Sequence, residues 1–102
     1  MSEWCRIAKK QDIPVNTGVV AEAMGKKLAV FNVDGQFYVT SNVCPHRGGP
    51  LGEGELNGPV VTCPWHGWTI DVTKGCHSEN PNVKIPTYAV KLEGDDILAE
   101  VN

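Results

Sequence analysis

Two short stretches of this chain decide what it can be, Cys44-Pro45-His46 and Cys63-Pro64-Trp65-His66. Each stretch contains one thiol and one imidazole, separated by one residue in the first and by two in the second. A short spacing around proline lets both side chains of a stretch turn toward one point. We therefore expect four side chains to converge on a metal site: Cys44, His46, Cys63 and His66.

The segment that carries these stretches differs from the rest of the chain. Glycines and prolines cluster between Cys44 and Trp68, so we predict a long loop with little structure of its own. Loops of that length in compact domains are usually functional. Two of the 4 cysteines and two of the 3 histidines lie within it. The sequence therefore predicts a metal-binding subdomain over about residues 43–68.

Strand signals recur on both sides of this loop, whereas no segment sustains a helical period over more than a turn or two. The pairs Asp34-Gly35 and Gly94-Asp95, each between apolar runs, predict tight hairpins. We predict one all-β domain over residues 1–102, an antiparallel β-sandwich. The predicted strands are Trp4–Ala8, Val19–Met24, Lys27–Val33, Gln36–Val43, Val60–Cys63, Thr69–Val72, Tyr88–Glu93 and Ile97–Val101.

A period of two within these strands predicts the core. Lys27–Val33 presents apolar residues on both faces, and in the last strand Leu98 points away from its apolar neighbours. The expected core residues are Ala29, Phe31 and Val33, with Leu28 and Val30 on the opposite face, then Phe37, Val39, Ile70, Val72, Val90, Leu92, Ile97, Ala99 and Val101.

Composition narrows the class of protein. The chain has 102 residues, the size of one domain, and 9 basic against 12 acidic side chains, a balance that argues against a nucleic-acid partner. No apolar run approaches the roughly 18 residues needed to span a bilayer, and the N-terminus does not resemble a secretory signal. We therefore expect a cytoplasmic protein without a membrane partner. Cysteines in that compartment favour metal binding over disulfides.

Two kinds of metal centre fit the four ligands. A single Zn²⁺ accepts two cysteines and two histidines, although zinc fingers usually pair cysteine with cysteine and histidine with histidine. Here each half is mixed. Mixed halves suit a binuclear cluster in which both thiolates bind one iron and both imidazoles bind the other.

The pattern Cys-x-His, a loop, then Cys-x₂-His resembles that of the Rieske [2Fe–2S] proteins. The resemblance extends to Leu51 and Gly54 in the first loop, to Gly67–Asp71 with Gly75, and to the closing segment from Tyr88 to Ile97. It implies that Cys44 and Cys63 ligate one iron and that His46 and His66 ligate the other.

The resemblance is to the ferredoxin components of bacterial ring-hydroxylating dioxygenase systems, which are one-electron carriers. It implies two partners, a flavin-dependent NAD(P)H ferredoxin reductase and a terminal oxygenase with its own Rieske cluster and mononuclear iron. Since the cluster uses two of the three histidines, His77 alone cannot supply a second, catalytic iron site. We expect a monomeric carrier, with no catalytic residue of its own, serving the breakdown of aromatic hydrocarbons.

The family also sets an expectation for the reduction potential. High-potential relatives carry a hydroxyl residue two positions after the second histidine ligand and a disulfide between the cluster loops. Here Trp68 occupies the position of the hydroxyl residue, and Gly49 and Trp65 occupy the positions of the two disulfide cysteines. We therefore predict a potential near the lower end of the Rieske range of about −150 to +300 mV.

Three alternative functions remain open from the sequence. One is the small Rieske-like subunit of an assimilatory nitrite reductase, which often lacks the cluster ligands that are present here. Another is a colourless, zinc-stabilised binding module. The third is an electron carrier for some other hydroxylase. We interpret Cys5 and Cys76 as ordinary free thiols, and we assign no role to His77.

Overall fold

The computed structural model describes residues 3–44, 49–65 and 67–101. Strands account for most of these residues, and two short 3₁₀ turns, Lys10–Asp12 and Leu51–Glu53, are the only helical segments among them. The strands are β1 (Glu3–Lys9), β2 (Thr17–Ala23), β3 (Lys26–Val33), β4 (Gln36–Ser41), β5 (Glu55–Asn57), β6 (Val60–Thr62), β7 (Thr69–Asp71), β8 (Cys76–His77), β9 (Asn80–Lys84), β10 (Thr87–Tyr88), β11 (Val90–Glu93) and β12 (Asp96–Val101).

Two antiparallel sheets form the base of the molecule, one in the order β1-β12-β11 and the other in the order β10-β4-β3-β2. Alternate side chains of β12 point into the space between them, as the period of two predicts. This base core consists of Ile13, Leu28, Val30, Val39, Ile97, Ala99 and Val101. The predicted all-β, antiparallel fold is confirmed.

A third antiparallel sheet, in the order β5-β6-β7-β8-β9, packs around a second core. This second core consists of Ala29, Phe31, Cys44, Leu51, Leu56, Val61, Cys63, Ile70, Val72 and Ile85. Strand β3 contributes to both cores, since Leu28 and Val30 belong to the base core and Ala29 and Phe31 to the second. All four side chains are fully buried. The apolar residues predicted on both faces of this strand are therefore explained by two cores rather than one.

Both predicted hairpin turns are present. Between β3 and β4, Asp34 and Gly35 have φ of 51° and 91°, the left-handed conformation that a two-residue type I′ turn requires. Between β11 and β12, Gly94 has φ of 61°. A third tight turn, which the sequence did not predict, joins β2 to β3 through Met24 and Gly25, whose φ values are 51° and 76°.

The single strand predicted over Tyr88–Glu93 is wrong. The chain changes sheets at Ala89, because Tyr88 pairs with Val39 whereas Val90 pairs with Ala99. Leu92 was expected in the core but is 45% exposed. Leu92 lies opposite Ile97, so the two side chains face the same side of the sheet. On that side an open groove lies between β4 and β11, and this groove leaves Leu92 exposed.

The segment Cys44–Trp68 has more structure than predicted. In addition to the expected strand near Val60, which is β6, it contains the 3₁₀ turn Leu51–Glu53 and strand β5, which forms a hairpin with β6. Outside it, β8 and β9 were also not predicted. Within the described ranges, no helix is long and apolar enough to cross a membrane.

Candidate metal centre

The first cysteine lies on a loop that is closed at its base by backbone contacts. Asn42 O accepts a hydrogen bond from Leu51 N (2.9 Å), Val43 and Pro50 form an isolated antiparallel bridge, and Cys44 N donates to Gly49 O (2.9 Å). These three contacts continue the direction of β4 and fix the position of Cys44 at the start of the loop. The tip, residues 45–48, lies outside the described residues and includes the predicted ligand His46.

The second cysteine follows β6 in the turn that leads to β7. Cys63 N donates to Trp68 O (2.7 Å), which extends the pairing of Val61 with Ile70 and of Thr62 with Thr69. Gly67 within this turn has φ of 74°, a conformation that glycine adopts without strain. The predicted ligand His66 lies outside the described residues.

The two loops lie directly against each other at Gly49. A Cβ added at this glycine would lie 2.7 Å from Cys63 Sγ and 3.1 Å from Trp65 Cβ. Both distances are shorter than van der Waals contact. The first loop can therefore approach Cys63 only because residue 49 has no side chain.

Cys44 and Cys63 are each 1% exposed and belong to the same core, together with Ala29, Phe31 and Leu51. Neither forms a disulfide, and neither do Cys5 and Cys76. Two buried thiols carried by adjacent loops form a pair of soft donors suited to iron or zinc. The structure thus brings together the two cysteines of the predicted set. Among the residues it describes, no group of three or more histidine, cysteine, aspartate or glutamate side chains is placed to hold a metal ion.

The tryptophans of the second loop have different surroundings. Trp65 is 50% exposed, whereas Trp68 packs against the second core. The Trp68 ring meets His77 edge to face, with ring centroids 5.0 Å apart. His77 Nδ1 accepts a hydrogen bond from Glu79 N (3.0 Å). His77 is thus a packing partner of Trp68.

Sequence reasoning missed a set of residues that holds the first loop in place. Asn42 is 6% exposed, and its Oδ1 accepts a hydrogen bond from Gly52 N (2.7 Å). Gly52 lies against β2, because a Cβ there would be 2.8 Å from Val19 O. Gly54 packs in the same manner against Thr62 O. An isolated asparagine and a Gly-x-Gly pattern carry no sequence signal that would identify these contacts.

The fold and the buried thiols define a small all-β protein in which two adjacent loops carry the two cysteines of the predicted ligand set. Residues 3–89 match the Rieske [2Fe–2S] domain family. The ferredoxin component of a naphthalene 1,2-dioxygenase system from Pseudomonas aeruginosa is 31% identical, covering 98% of this chain and 97% of the relative. The ferredoxin component of the naphthalene 1,2-dioxygenase/salicylate 5-hydroxylase systems of a Ralstonia species is 33% identical, covering 96% and 95%.

A solved structure supports the same assignment. The complex of reduced oxygenase and oxidised ferredoxin in carbazole 1,9a-dioxygenase contains a chain with a TM-score of 0.86 and 28% identity, covering 95% of this chain and 92% of its own length. This protein belongs to the Rieske [2Fe–2S] domain family. Its cofactor is accordingly a Rieske-type [2Fe–2S] cluster.

Proposed function

We propose that the protein is a Rieske ferredoxin that carries single electrons from a flavin-dependent NAD(P)H reductase to the terminal oxygenase of a ring-hydroxylating dioxygenase system. The observation that carries this proposal is the pair of buried thiols, Cys44 and Cys63, on two loops in direct contact. The near full-length similarity to ferredoxin components of naphthalene dioxygenase systems supports the identity of the partners. The proposal describes a monomeric carrier in the cytoplasm, where free cysteines stay reduced.

The proposed ligands are those that the spacing predicts. Cys44 and Cys63 would hold one iron, and His46 and His66 would hold the other, within a single domain whose cluster-binding subdomain spans about residues 43–68. When bound by these four residues, the cluster would supply a one-electron acceptor, whose charge with thiolate ligands and neutral imidazoles would change from zero to −1 on reduction. Histidine ligation favours this reduction relative to four-cysteine clusters.

The described residues would keep water away from the two cysteines. Both cysteines belong to the buried core that contains Ala29, Phe31 and Leu51, and the first loop packs directly against Cys63 at Gly49. A dry environment disfavours the negatively charged reduced cluster, so it lowers the potential.

Two exposed apolar side chains lie within two residues of the cysteines in sequence, Val43 (53% exposed) and Trp65 (50% exposed). Because an electron carrier must bring its cofactor close to that of its partner, these side chains would form part of the docking surface. Tryptophan is enriched among the residues that dominate transient interfaces.

The first test is analysis of the purified protein for iron and acid-labile sulfide. We expect equal amounts of each, a red-brown colour, and an EPR signal after reduction with dithionite. Cys44→Ser and Cys63→Ser should abolish the signal, whereas Cys5→Ser, which alters a free thiol of β1 in the base, should retain it. A colourless protein with bound zinc would support the binding-module alternative and overturn the proposal.

The second test addresses the partners. The protein is added to the purified reductase and terminal oxygenase of a naphthalene dioxygenase system, from which their own ferredoxin is omitted. We expect NADH-dependent product formation that requires this chain. A chain that holds the cluster but supports no oxygenase turnover, and that is instead required with a nitrite reductase, would contradict the proposed role.

A further inference from the structure

Three backbone contacts between described residues close the base of the loop that bears Cys44. They are the Asn42–Leu51 hydrogen bond, the Val43–Pro50 bridge and the Cys44–Gly49 hydrogen bond. Side chains on successive residues of an extended segment point to opposite sides, so a slip of one residue would turn Cys44 outward. The burial of Cys44 and the exposure of Val43 favour the observed register.

The side chain of Asn42 adds a second, directional constraint on the same register. The backbone of Asn42 makes two hydrogen bonds, from Asn42 N to Lys27 O (3.1 Å) and from Leu51 N to Asn42 O (2.9 Å). Its side-chain Oδ1 accepts a third from Gly52 N at 2.7 Å. This one residue therefore connects the start of β3, the end of β4 and the 3₁₀ turn after the loop.

The side-chain hydrogen bond is buried, which makes it specific for one register. Asn42 is 6% exposed, and a Cβ added at Gly52 would lie 3.0 Å from Asn42 Oδ1 and 2.8 Å from Val19 O. No other residue type fits at position 52 without displacing one of these partners. If the register changed, Asn42 and Gly52 N would both lose their partners in a buried environment, which is unfavourable.

We propose that Asn42 is a positioning residue for the iron–sulfur centre: its buried side chain fixes the register of the first loop and thereby the direction of Cys44. This inference rests on the proposed role of Cys44 as a ligand. It predicts that the electronic structure of the cluster, as well as the stability of the fold, depends on Asn42.

The test replaces Asn42 with leucine, which is similar in size but cannot accept the Gly52 hydrogen bond. Asn32→Leu is the control. Asn32 is 5% exposed, and its Oδ1 accepts Gly35 N at 2.8 Å in the β3–β4 turn, on the base. Its Nδ2 also donates to Ile13 O at 2.8 Å, so this variant removes two side-chain hydrogen bonds from the base. Both variants remove a buried acceptor from an asparagine that binds a glycine N–H. Only Asn42 lies beside the cysteine loop.

We expect Asn42→Leu to shift or split the EPR signal of the reduced protein, to shift its midpoint potential, and to release iron to a chelator on the order of tenfold faster than the parent. Asn32→Leu should lower the urea midpoint while retaining the parent EPR signal and potential. Asn42→Asp keeps the acceptor oxygen and should restore the parent signal, and it serves if the leucine variant does not fold.

Two results would overturn the inference. One is an Asn42→Leu protein with the parent EPR signal and potential. The other is an Asn32→Leu protein whose spectrum changes as much as that of Asn42→Leu. If the parent protein itself contains no iron and sulfide, the proposed function fails instead, so the two failures are distinguishable.

Discussion

Gly49 illustrates how one missing side chain controls the site. Alanine at this position would place a methyl group 2.7 Å from Cys63 Sγ and 3.0 Å from Trp65 Cγ, so the loops would have to separate. We predict that Gly49→Ala lowers the iron content of the purified protein by half or more. Iron and sulfide analysis measures this.

The control for Gly49→Ala is Gly58→Ala. Gly58 has φ of 57° and nothing within 4 Å of an added Cβ. That substitution introduces backbone strain of about 1–2 kcal/mol without touching the loops, so it should lower stability and leave the iron content unchanged. Equal iron contents in the parent and Gly49→Ala would show that the loops tolerate separation.

At Met24 a substitution can relieve the strain of a left-handed backbone conformation. Met24 has φ of 51° and is 54% exposed, in a two-residue turn that Gly25 completes. Asparagine adopts this conformation more readily than methionine, and Asn-Gly is a preferred type I′ pair. We predict that Met24→Asn raises the free energy of unfolding by about 0.5–1 kcal/mol.

Thermal or urea unfolding of the cluster-loaded protein measures this gain. Asp34→Asn is the comparison, because Asp34 occupies the equivalent position of the β3–β4 turn with φ of 51°, and aspartate already suits it. That variant should differ little from the parent. A Met24→Asn protein no more stable than the parent would mean that the methionine contributes contacts that offset its backbone strain.

At the scale of elements, β3 separates two cores that should respond differently to mutation. Leu28 lies in the base core and Leu51 in the core that contains Cys44 and Cys63, and both are fully buried. Leu28→Ala and Leu51→Ala should each cost about 2–5 kcal/mol of stability, because each leaves a cavity. We predict that only Leu51→Ala also accelerates loss of iron.

Urea denaturation combined with iron release to a chelator distinguishes the two effects. The two variants have the same residue type, burial and expected cost, so a difference in iron release reports the location of the cavity. Equal iron release from both would indicate that the two cores unfold as one cooperative unit.

The elements that could be predicted from the sequence are those with a clear apolar or turn signal. Strand β12, with six residues and alternate burial, and the Asp34-Gly35 turn were correct. Strand β8 has two residues, too few to establish alternation, and β5 has one apolar residue, Leu56, whereas the equally short β6 begins with Val60-Val61. Strand β9 is mostly exposed and begins with Asn80-Pro81, so it lacks the apolar signal of a strand.

The candidate site, like the fold, could be predicted only in part from the sequence. The spacing of Cys44 and Cys63 within their motifs was sufficient to predict that they come together. The contacts of Asn42 and Gly49 depend on segments that are distant in sequence or belong to the other loop. Such contacts follow from tertiary packing, which neither composition nor periodicity encodes.

At the scale of the whole molecule, net charge bears on the reduction potential. The chain carries a formal charge of −3, and reduction adds one more negative charge to the cluster. Repulsion between the negative charge of the chain and that of the reduced cluster disfavours the reduced form. Salt screens this repulsion over a Debye length of about 8 Å at physiological ionic strength. We therefore predict that the midpoint potential becomes more positive as ionic strength rises from about 10 mM to 1 M.

The same measurement tests the predicted potential itself. Trp68 offers the second loop no hydroxyl group, and its ring packs against the second core and His77. Without that donor near the sulfurs, the negatively charged reduced form is less stabilised. Protein-film voltammetry should give a midpoint near the lower end of the Rieske range of about −150 to +300 mV. A midpoint well above about +100 mV would contradict the predicted potential and would mean that other donors stabilise the reduced cluster. A midpoint that falls as salt is added would contradict the predicted salt dependence and would show that nearby positive charges outweigh the net charge of the chain.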